Sequence, residues 1–273
     1  MSSSIPCPQL SNPFRLLCQG RWPPEQVFAH YNPTRHILPS PHDELALSYW
    51  QQLLTVGDKH LFNGQLFRLE SQEARLNRLE LVLGHTCYRD QIYCNAHVQA
   101  LTQTYGENVL ARGLGVSAMV VTCDGYLPLL RRGERVGEEP GKLDVFGGHA
   151  HPEQHLIAGR PDLFRAMADE IVAELNVAPE AIAENVCRGL VENLRTHKPD
   201  LVFEISLRST REEIAQGATH AAEAEEVAEL FFVRHNGEAV QKFLADFAHE
   251  LTPSAHGTLA LGVAERSHCA WSD

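Results

Sequence analysis

Cysteine is sparse and unpaired in this sequence of 273 residues. The seven cysteines occur singly, and none belongs to a Cys-x-x-Cys pair. An odd number of scattered cysteines argues against a disulfide framework and against a zinc ribbon. We therefore predict free or buried thiols in a reducing, intracellular compartment, with a cytoplasmic location.

Long apolar runs are also missing. No run reaches the roughly 20 residues that a membrane-spanning helix needs. Residues 1–6 lack the basic region and the apolar core of a secretory signal. The composition, with 44% hydrophobic and 21% charged residues, is ordinary for a globular chain. The sequence thus predicts no membrane partner, and it indicates no protein partner.

The sequence has fewer basic residues than acidic residues. The chain has 23 Lys and Arg against 35 Asp and Glu, which leaves a formal net charge of −12 at pH 7. Nucleic-acid binding depends on Lys and Arg that neutralise phosphates. We therefore expect no nucleic-acid partner. A small anionic ligand would need a local basic cluster or metal ions.

Residues 144–177 combine a strand that ends in two glycines with an amphipathic helix. Helical spacing relates the apolar residues of the second part, Phe164, Met167, Ala168, Ile171 and Leu175. Glu170 and Glu174 are four residues apart, so they lie one turn apart on the same helix face. Two stacked carboxylates repel each other unless a cation lies between them. The pair is therefore a candidate site for a hard metal ion.

The rest of the chain mixes helices with strands, which predicts an α+β fold with a mixed sheet between helices. We predict helices at residues 43–54, 238–251 and 254–266, a helix start at 23–28, and a capped helix start at 209–213. We predict strands at 186–194, 201–207 and 230–233, and hairpins at 66–83 and 116–130, the second around Asp124-Gly125. Residues 85–90 are expected to form a polar loop, which either is capped and contains an Arg–Asp pair or faces a ligand. A boundary near residues 106–108 gives two modules, 1–107 and 108–273.

Residues 148–177 resemble the signature of the Nudix hydrolases, which ends in Arg-Glu-apolar-x-Glu-Glu-x-Gly-apolar. Gly148 can begin that signature, and residues 169–177 can end it. The match is incomplete, because four positions differ and several extra residues precede the helix. Gln154 stands at the first Glu position, and Asp169, Ala173 and Asn176 stand in place of Arg, Glu and Gly.

The departures resemble those of a divergent animal branch of Nudix proteins that hydrolyses UDP-glucose and UDP-galactose. The similarity extends to residues 83–90, 114–116, 129–132, 144–149 and 231–233, in the same order, and covers about residues 16–265. It implies a Nudix fold, an α/β/α sandwich, preceded by a small N-terminal α/β domain that contributes to the substrate site. It also implies Mg²⁺-dependent hydrolysis of the substrate pyrophosphate to UMP and a sugar 1-phosphate, with Mn²⁺ as a substitute metal.

The predicted metal ligands are Glu170, Glu174 and a backbone carbonyl of the glycine pair, Gly148 in particular. Mg²⁺ prefers a few carboxylates together with water and phosphate oxygens, and the chain approaches closely where a side chain is absent. Most Nudix enzymes take a further acidic ligand or base from a late loop. We assign that role to Glu226, with Glu225 as the next candidate.

The predicted substrate-binding residues lie on several segments. Arginines can clamp phosphate oxygens bidentately, which makes Arg131, Arg132 and Arg89 candidates. Asp144 either contacts sugar or ribose hydroxyls or pairs with Arg131 or Arg132. The resemblance adds Tyr88, which belongs to the matched segment 83–90. His149 is interpreted as a loop residue that can reach substrate phosphate.

Three alternatives stay open. His149, His151 and His155 could bind zinc, although such a site would leave the glutamates unexplained. The changed signature positions are also compatible with a protein that binds a nucleotide sugar without cleaving it. Finally, the chain could be a Nudix hydrolase of another nucleotide.

Overall fold

A computed structural model describes residues 12–56, 61–222 and 224–264. Its strands are β1 (Phe14–Trp22), β2 (Val27–Arg35), β3 (Gln65–Arg75), β4 (Arg78–Cys87), β5 (Gly115–Val121), β6 (Tyr126–Arg132), β7 (Leu143–Asp144), β8 (Phe146–His149), β9 (Leu156–Ile157), β10 (Arg160–Pro161), β11 (Ile182–Asn193), β12 (Pro199–Leu207) and β13 (Val227–Arg234). Its α-helices are α1 (His42–Val56), α2 (Tyr88–Tyr105), α3 (Pro152–His155), α4 (Leu163–Leu175), α5 (Arg211–Ala218), α6 (Gly237–Phe247) and α7 (Pro253–Ala264). Within these residues, no helix combines the length and the apolar character needed to cross a membrane.

The central sheet has the strand order β1-β11-β12-β5-β8 and is mixed, because β12 runs parallel to β5 while the other pairs are antiparallel. Helices α4 and α7 both pack on this sheet. Strand alternation explains the two packed faces. In β12, Leu201 and Phe203 belong to the core that contains the apolar side of α4, whereas Val202 packs with Leu261 of α7. The predicted sandwich of helices around a mixed sheet is confirmed.

A second sheet, β2-β4-β3, and the helices α1 and α2 are built by residues before 106. This sheet is joined to the central one by main-chain bonds, since the Phe67 N–H donates to the Ala150 carbonyl (3.0 Å) and the Leu114 N–H donates to the Phe67 carbonyl (2.7 Å). Strand β1 pairs with β11 and so belongs to the central sheet. The boundary after residue 107 stays a prediction.

Several predicted elements are present in the structure. They include the helix at 43–54, the hairpin at 66–83, the strands at 186–194, 201–207 and 230–233, and the helix at 238–251. Thr210 caps α5 in a reciprocal capping box with Glu213. The helix predicted to end at residue 266 is α7, and residues 265–266 lie outside the described part of the chain.

Two predictions before residue 91 are wrong. Residues 23–28 contain a single 3₁₀ turn, Pro24–Gln26, because Val27 and Phe28 already pair with β4. Residues 85–90 are not a loop. Strand β4 runs to Cys87, and helix α2 begins directly at Tyr88.

The hairpin predicted at 116–130 is only half correct. The Asp124-Gly125 turn forms, since the Gly125 N–H donates to the Thr122 carbonyl (3.0 Å). The two strands then diverge, however. Strand β5 joins the central sheet, whereas β6 pairs with β13 and β7 in a separate three-stranded sheet. Side chains of the two strands still pack in one core, which contains Met119 of β5 with Leu127 and Leu129 of β6.

Candidate active site

Helix α4 carries the stacked glutamates and has well-defined ends. Asp162 caps its N-terminus by accepting a hydrogen bond from the Arg165 N–H (2.9 Å). Asn176 ends the helix in the left-handed conformation, with φ 51° and ψ 44°. Asparagine tolerates this conformation better than most residues with a side chain. Asn176 therefore retains the conformation that favours glycine at the end of a helix.

The glycine pair of β8 lies directly against this helix. Glu174 is 7% exposed, and its carboxylate accepts a hydrogen bond from the Gly147 N–H (2.9 Å). A Cβ on Gly148 would overlap the carboxylate of Glu170, and a Cβ on Gly147 would overlap the Val116 carbonyl oxygen. A residue without a side chain is therefore needed at position 147, whereas a side chain at position 148 would force the Glu170 carboxylate to move. The structure brings together the glutamates and the glycine pair.

A cavity of about 610 Å³ opens at this junction. It is lined by elements from both halves of the chain, including α2, β8, α4 and the start of β12. Eight of the predicted site residues line it: Tyr88, Arg132, Asp144, Gly148, His149, Glu170, Glu174 and Glu226.

Asp144 and Arg132 form an ion pair at the cavity wall. Arg132 Nη1 donates to Asp144 Oδ2 (2.9 Å), and Thr252 donates its hydroxyl to Asp144 Oδ1 (2.7 Å). The predicted pairing of Asp144 with Arg132 is thus present in the structure. Arg132 Nε also donates to the Glu138 carbonyl (3.1 Å), and the remaining N–H donors of Arg132 are left for a ligand.

Glu226 lies at the wall next to Arg132. Strand β13 begins at Val227, which is opposite Arg132 of β6, and the Glu226 carbonyl accepts a hydrogen bond from the Gly133 N–H (2.7 Å). Glu225, the next candidate, is absent from the cavity lining. Of these two acidic residues, Glu226 is therefore the one that lines the cavity.

Two predicted arginines lie outside the cavity lining. Arg89 donates to Asp90 and Asp43, each at 2.7 Å. Arg131 donates to the Gly141 carbonyl (3.0 Å) and to Glu250 (3.1 Å). Arg131 and Arg132 are neighbours on one strand, and neighbouring side chains point to opposite faces. The structure therefore does not bring Arg89 and Arg131 together with the residues that line the cavity.

The three histidines near the glycine pair do not form a zinc site. His155 is buried, and its Nδ1 accepts a hydrogen bond from the His151 N–H (3.0 Å), while its Nε2 lies 3.5 Å from Asp169. His151 Nδ1 lies 2.9 Å from the Gln65 carbonyl oxygen. Burial lowers the pKa of His149 well below its usual range. In the described part of the chain, no group of three or more His, Cys, Asp and Glu converges on a metal position.

The cavity also contains a charged cluster that the sequence did not reveal. Lys198 Nζ donates to Glu138 Oε2 (3.2 Å), and Asn95 donates to Glu138 Oε1 (2.7 Å). Burial by itself would raise the pKa of Glu138, but Lys198, His149 and Arg132 together outweigh it and lower that pKa to about 2. Burial raises the pKa of the neighbouring Asp200 to about 6. These residues come from three distant segments, and no motif links them.

The charge balance of the cavity is strongly negative. Seven acidic and three basic side chains line it. The acidic residues are Glu138, Glu139, Asp144, Glu170, Glu174, Asp200 and Glu226, and the basic residues are Arg132, Arg195 and Lys198. An anionic ligand would be repelled from this surface unless it entered together with cations.

No family model matches the chain, but curated relatives do. The uridine diphosphate glucose pyrophosphatase NUDT22 of Homo sapiens is 30% identical over 275 residues, which cover 89% of this chain and 88% of the relative. The same-named protein of Bos taurus is 29% identical, and Nudix hydrolase 9 of Arabidopsis thaliana is 24% identical over 80% of this chain and 81% of its own. Among solved structures, DR0079 from Deinococcus radiodurans has a TM-score of 0.37 at 16% identity, over 54% of this chain and 80% of its own. The MutT protein of Methanosarcina mazei has a TM-score of 0.34 at 19% identity, over 56% and 94%.

Proposed function

The chain belongs to the Nudix hydrolases and is a hydrolase of phosphorus-containing anhydrides, and we propose that its substrate is a nucleoside diphosphate sugar. UDP-glucose and UDP-galactose are the proposed substrates, cleaved at the pyrophosphate to UMP and a sugar 1-phosphate. The name of the human relative supports a UDP-sugar, and that relative is matched over most of both chains.

The observation that carries the proposal is the meeting of Glu170 and Glu174 with the glycine pair in one acidic cavity. Nudix hydrolases generally need divalent metal ions. Mg²⁺ commonly takes one or two protein carboxylates and completes its coordination with water and substrate phosphates. The donor set here fits that pattern, because two carboxylates line the cavity beside a backbone segment without side chains.

We propose that Glu170, Glu174 and the Gly148 carbonyl hold Mg²⁺, for which Mn²⁺ can substitute. The ion would offset the charge of the pyrophosphate and make the attacked phosphorus more electrophilic. Glu226, on the wall next to Arg132, accepts the proton of the attacking water or adds a further metal ligand. Arg132, held on one side by Asp144, donates to phosphate oxygens from its other N–H groups. Tyr88 and His149 complete the proposed substrate-binding wall.

The direct test is product analysis. The purified protein is incubated with Mg²⁺ and each of UDP-glucose, UDP-galactose, CDP-glucose, ADP-ribose, a dinucleoside polyphosphate and coenzyme A. We expect UMP and hexose 1-phosphate from the two UDP-hexoses, with the highest kcat/KM in the panel. Binding of UDP-glucose without turnover would show a non-catalytic protein. Preferred cleavage of the polyphosphate or of coenzyme A would assign another substrate.

Gly148→Ala is expected to lower kcat about 100-fold, a loss typical of one misplaced catalytic group. The added Cβ would overlap the Glu170 carboxylate and push it away from its position beside the strand. Gly125→Ala, in the turn after β5, is a matched control, because a Cβ there meets no atom within 4 Å. The control loses some stability, since Gly125 has a φ of 79°, but we expect it to keep its kcat. Unchanged kcat in Gly148→Ala would contradict the assignment.

A further inference from the structure

Glu138 and Lys198 form an ion pair in the cavity wall that the proposed metal site does not use. Their side chains are 19% and 16% exposed, and the carboxylate lies 3.2 Å from the ammonium. Asn95 of α2 binds the second carboxylate oxygen, and His149 Nε2 lies 3.8 Å from the first. Removing two charges from water is costly, so a pair at this position calls for an explanation beyond stability.

The pair keeps unused hydrogen-bonding capacity towards the cavity. Each oxygen of Glu138 makes one hydrogen bond, to Asn95 or to Lys198, and a carboxylate oxygen can accept about two. The Lys198 ammonium has three donors, and one of them is used by Glu138. An acceptor and a donor are thus available side by side.

The charges of the pair cancel, which restricts the ligand group that it suits. A phosphate would be repelled by Glu138, and a cation would be repelled by Lys198. A neutral group that both donates and accepts hydrogen bonds matches both partners. Neighbouring hydroxyl groups of a sugar have this property, because each can donate to the carboxylate and accept from the ammonium.

The pair lies close to the proposed metal site. Across the central sheet, Asp200 of β12 is opposite Gly115 of β5, which is opposite His149 of β8. Neighbouring strands lie about 4.8 Å apart, so these two steps span about 10 Å. Glu138 contacts His149, at one end of this row, and Lys198, which lies two residues before Asp200 at the other end. Gly148, the proposed metal ligand, is the next residue on β8.

We infer that Glu138 and Lys198 together recognise adjacent hydroxyls of the hexose in a nucleoside diphosphate sugar and make the enzyme selective for the sugar half of its substrate. This inference rests on the proposed function. The aromatic side chains Tyr49 and Phe62 that line the same cavity come from the N-terminal part of the chain and are available to the base.

The test compares substrates with and without the sugar. In the double variant Glu138→Gln/Lys198→Met, kcat/KM is measured for UDP-glucose and for the β-methyl ester of UDP, which has the same pyrophosphate diester but no sugar. We expect the ratio of the two kcat/KM values to fall at least about tenfold, because the hydroxyls lose hydrogen bonds to charged groups. The ratio for UDP-glucose against CDP-glucose is expected to stay within about twofold, since both carry the same hexose.

Matched variants separate recognition from folding. Lys242 and Asp246 form an exposed pair at 2.6 Å on α6, so Lys242→Met/Asp246→Asn makes the same kind of change far from the cavity lining. It should leave both ratios unchanged. If the double variant does not fold, Glu138→Asp takes its place. This variant keeps the charge but shortens the side chain by one methylene, and it should lower the ratio of kcat/KM for UDP-glucose to that for the methyl ester. Thermal unfolding of each variant reports its stability.

Three other outcomes would overturn the inference. Equal losses on UDP-glucose and the methyl ester would make the pair structural and overturn the inference. A loss confined to the ratio of UDP-glucose to CDP-glucose would assign the pair to the base and overturn it as well. If the wild-type protein cleaves no nucleotide sugar, the proposed function itself fails, and this inference fails with it.

Discussion

Replacing Glu174 with Gln is expected to lower kcat for UDP-glucose by roughly 10³-fold, the scale of losing a group that supports transition-state charge. Gln has nearly the same size and can still accept the Gly147 hydrogen bond through its carbonyl oxygen. It lacks the negative charge that a hard cation requires. The loss should therefore fall on kcat, with little change in the melting temperature.

Glu180→Gln is the matched control for this variant. Glu180 is exposed in the turn that follows α4, and its replacement changes the net charge of the chain by the same amount. We expect its kcat to equal that of the wild type. Both variants are measured with saturating Mg²⁺ and UDP-glucose, alongside thermal unfolding. A Glu174→Gln enzyme with more than about a tenth of the wild-type kcat would contradict the metal assignment.

Removal of divalent metal is expected to abolish hydrolysis and to do so reversibly. Seven acidic and three basic side chains line the cavity, so a pyrophosphate bound without cations would face uncompensated repulsion. After EDTA treatment and dialysis, we expect activity below about 10⁻³ of the starting value, and recovery when Mg²⁺ or Mn²⁺ is added. Full activity in the presence of the chelator would rule out the metal-dependent mechanism.

A binding measurement makes the metal prediction independent of turnover. Titration calorimetry of the substrate-free protein should detect Mg²⁺ or Mn²⁺ binding, which is lost in Glu170→Gln/Glu174→Gln. The control Glu180→Gln should bind as the wild type does. Binding that survives the double variant would place the ion on other carboxylates of the cavity, and it would refute the assignment of both glutamates.

The catalytic helix illustrates what local patterns predict well. Its apolar spacing, its stacked glutamates and the preceding glycine pair are properties of about 30 consecutive residues, and the structure keeps all of them together. Asn176, which replaces the last glycine of the signature, adopts the left-handed conformation that glycine favours at the end of a helix. This replacement too is explained by local structure. The prediction that strand and helix lie side by side therefore needed no knowledge of distant segments.

The errors occur where pairing partners lie far away in the sequence. Residues 23–28 have a proline-rich helix start, but pairing with β4 makes Val27 and Phe28 part of a strand. The Asp124-Gly125 turn predicts a hairpin, yet β5 is taken into the central sheet and β6 pairs with β13. In both cases long-range strand pairing overrides a correct local signal.

The arginines show the same limit at the scale of single side chains. Arg131 and Arg132 are chemically equal in the sequence, but strand alternation turns only Arg132 towards Asp144 and the cavity. Arg89 is held by Asp43, 46 residues away. Which charges are available to a ligand is therefore decided by their partners and not by residue type.

The sequence by itself determined the helix with its two glutamates and the glycine pair against which it packs, because both depend on short-range spacing. It also determined the family resemblance, because the motifs of that resemblance follow one another in the same order along the chain. Only the tertiary structure decided that Glu226 and Arg132 share one wall of the cavity and that Asn95, Glu138 and Lys198 meet in it. The physical reason is that these residues lie on separate segments whose side chains converge only when the sheets are assembled. Local propensity carries no information about such encounters, and the proposed selectivity for the sugar rests on them.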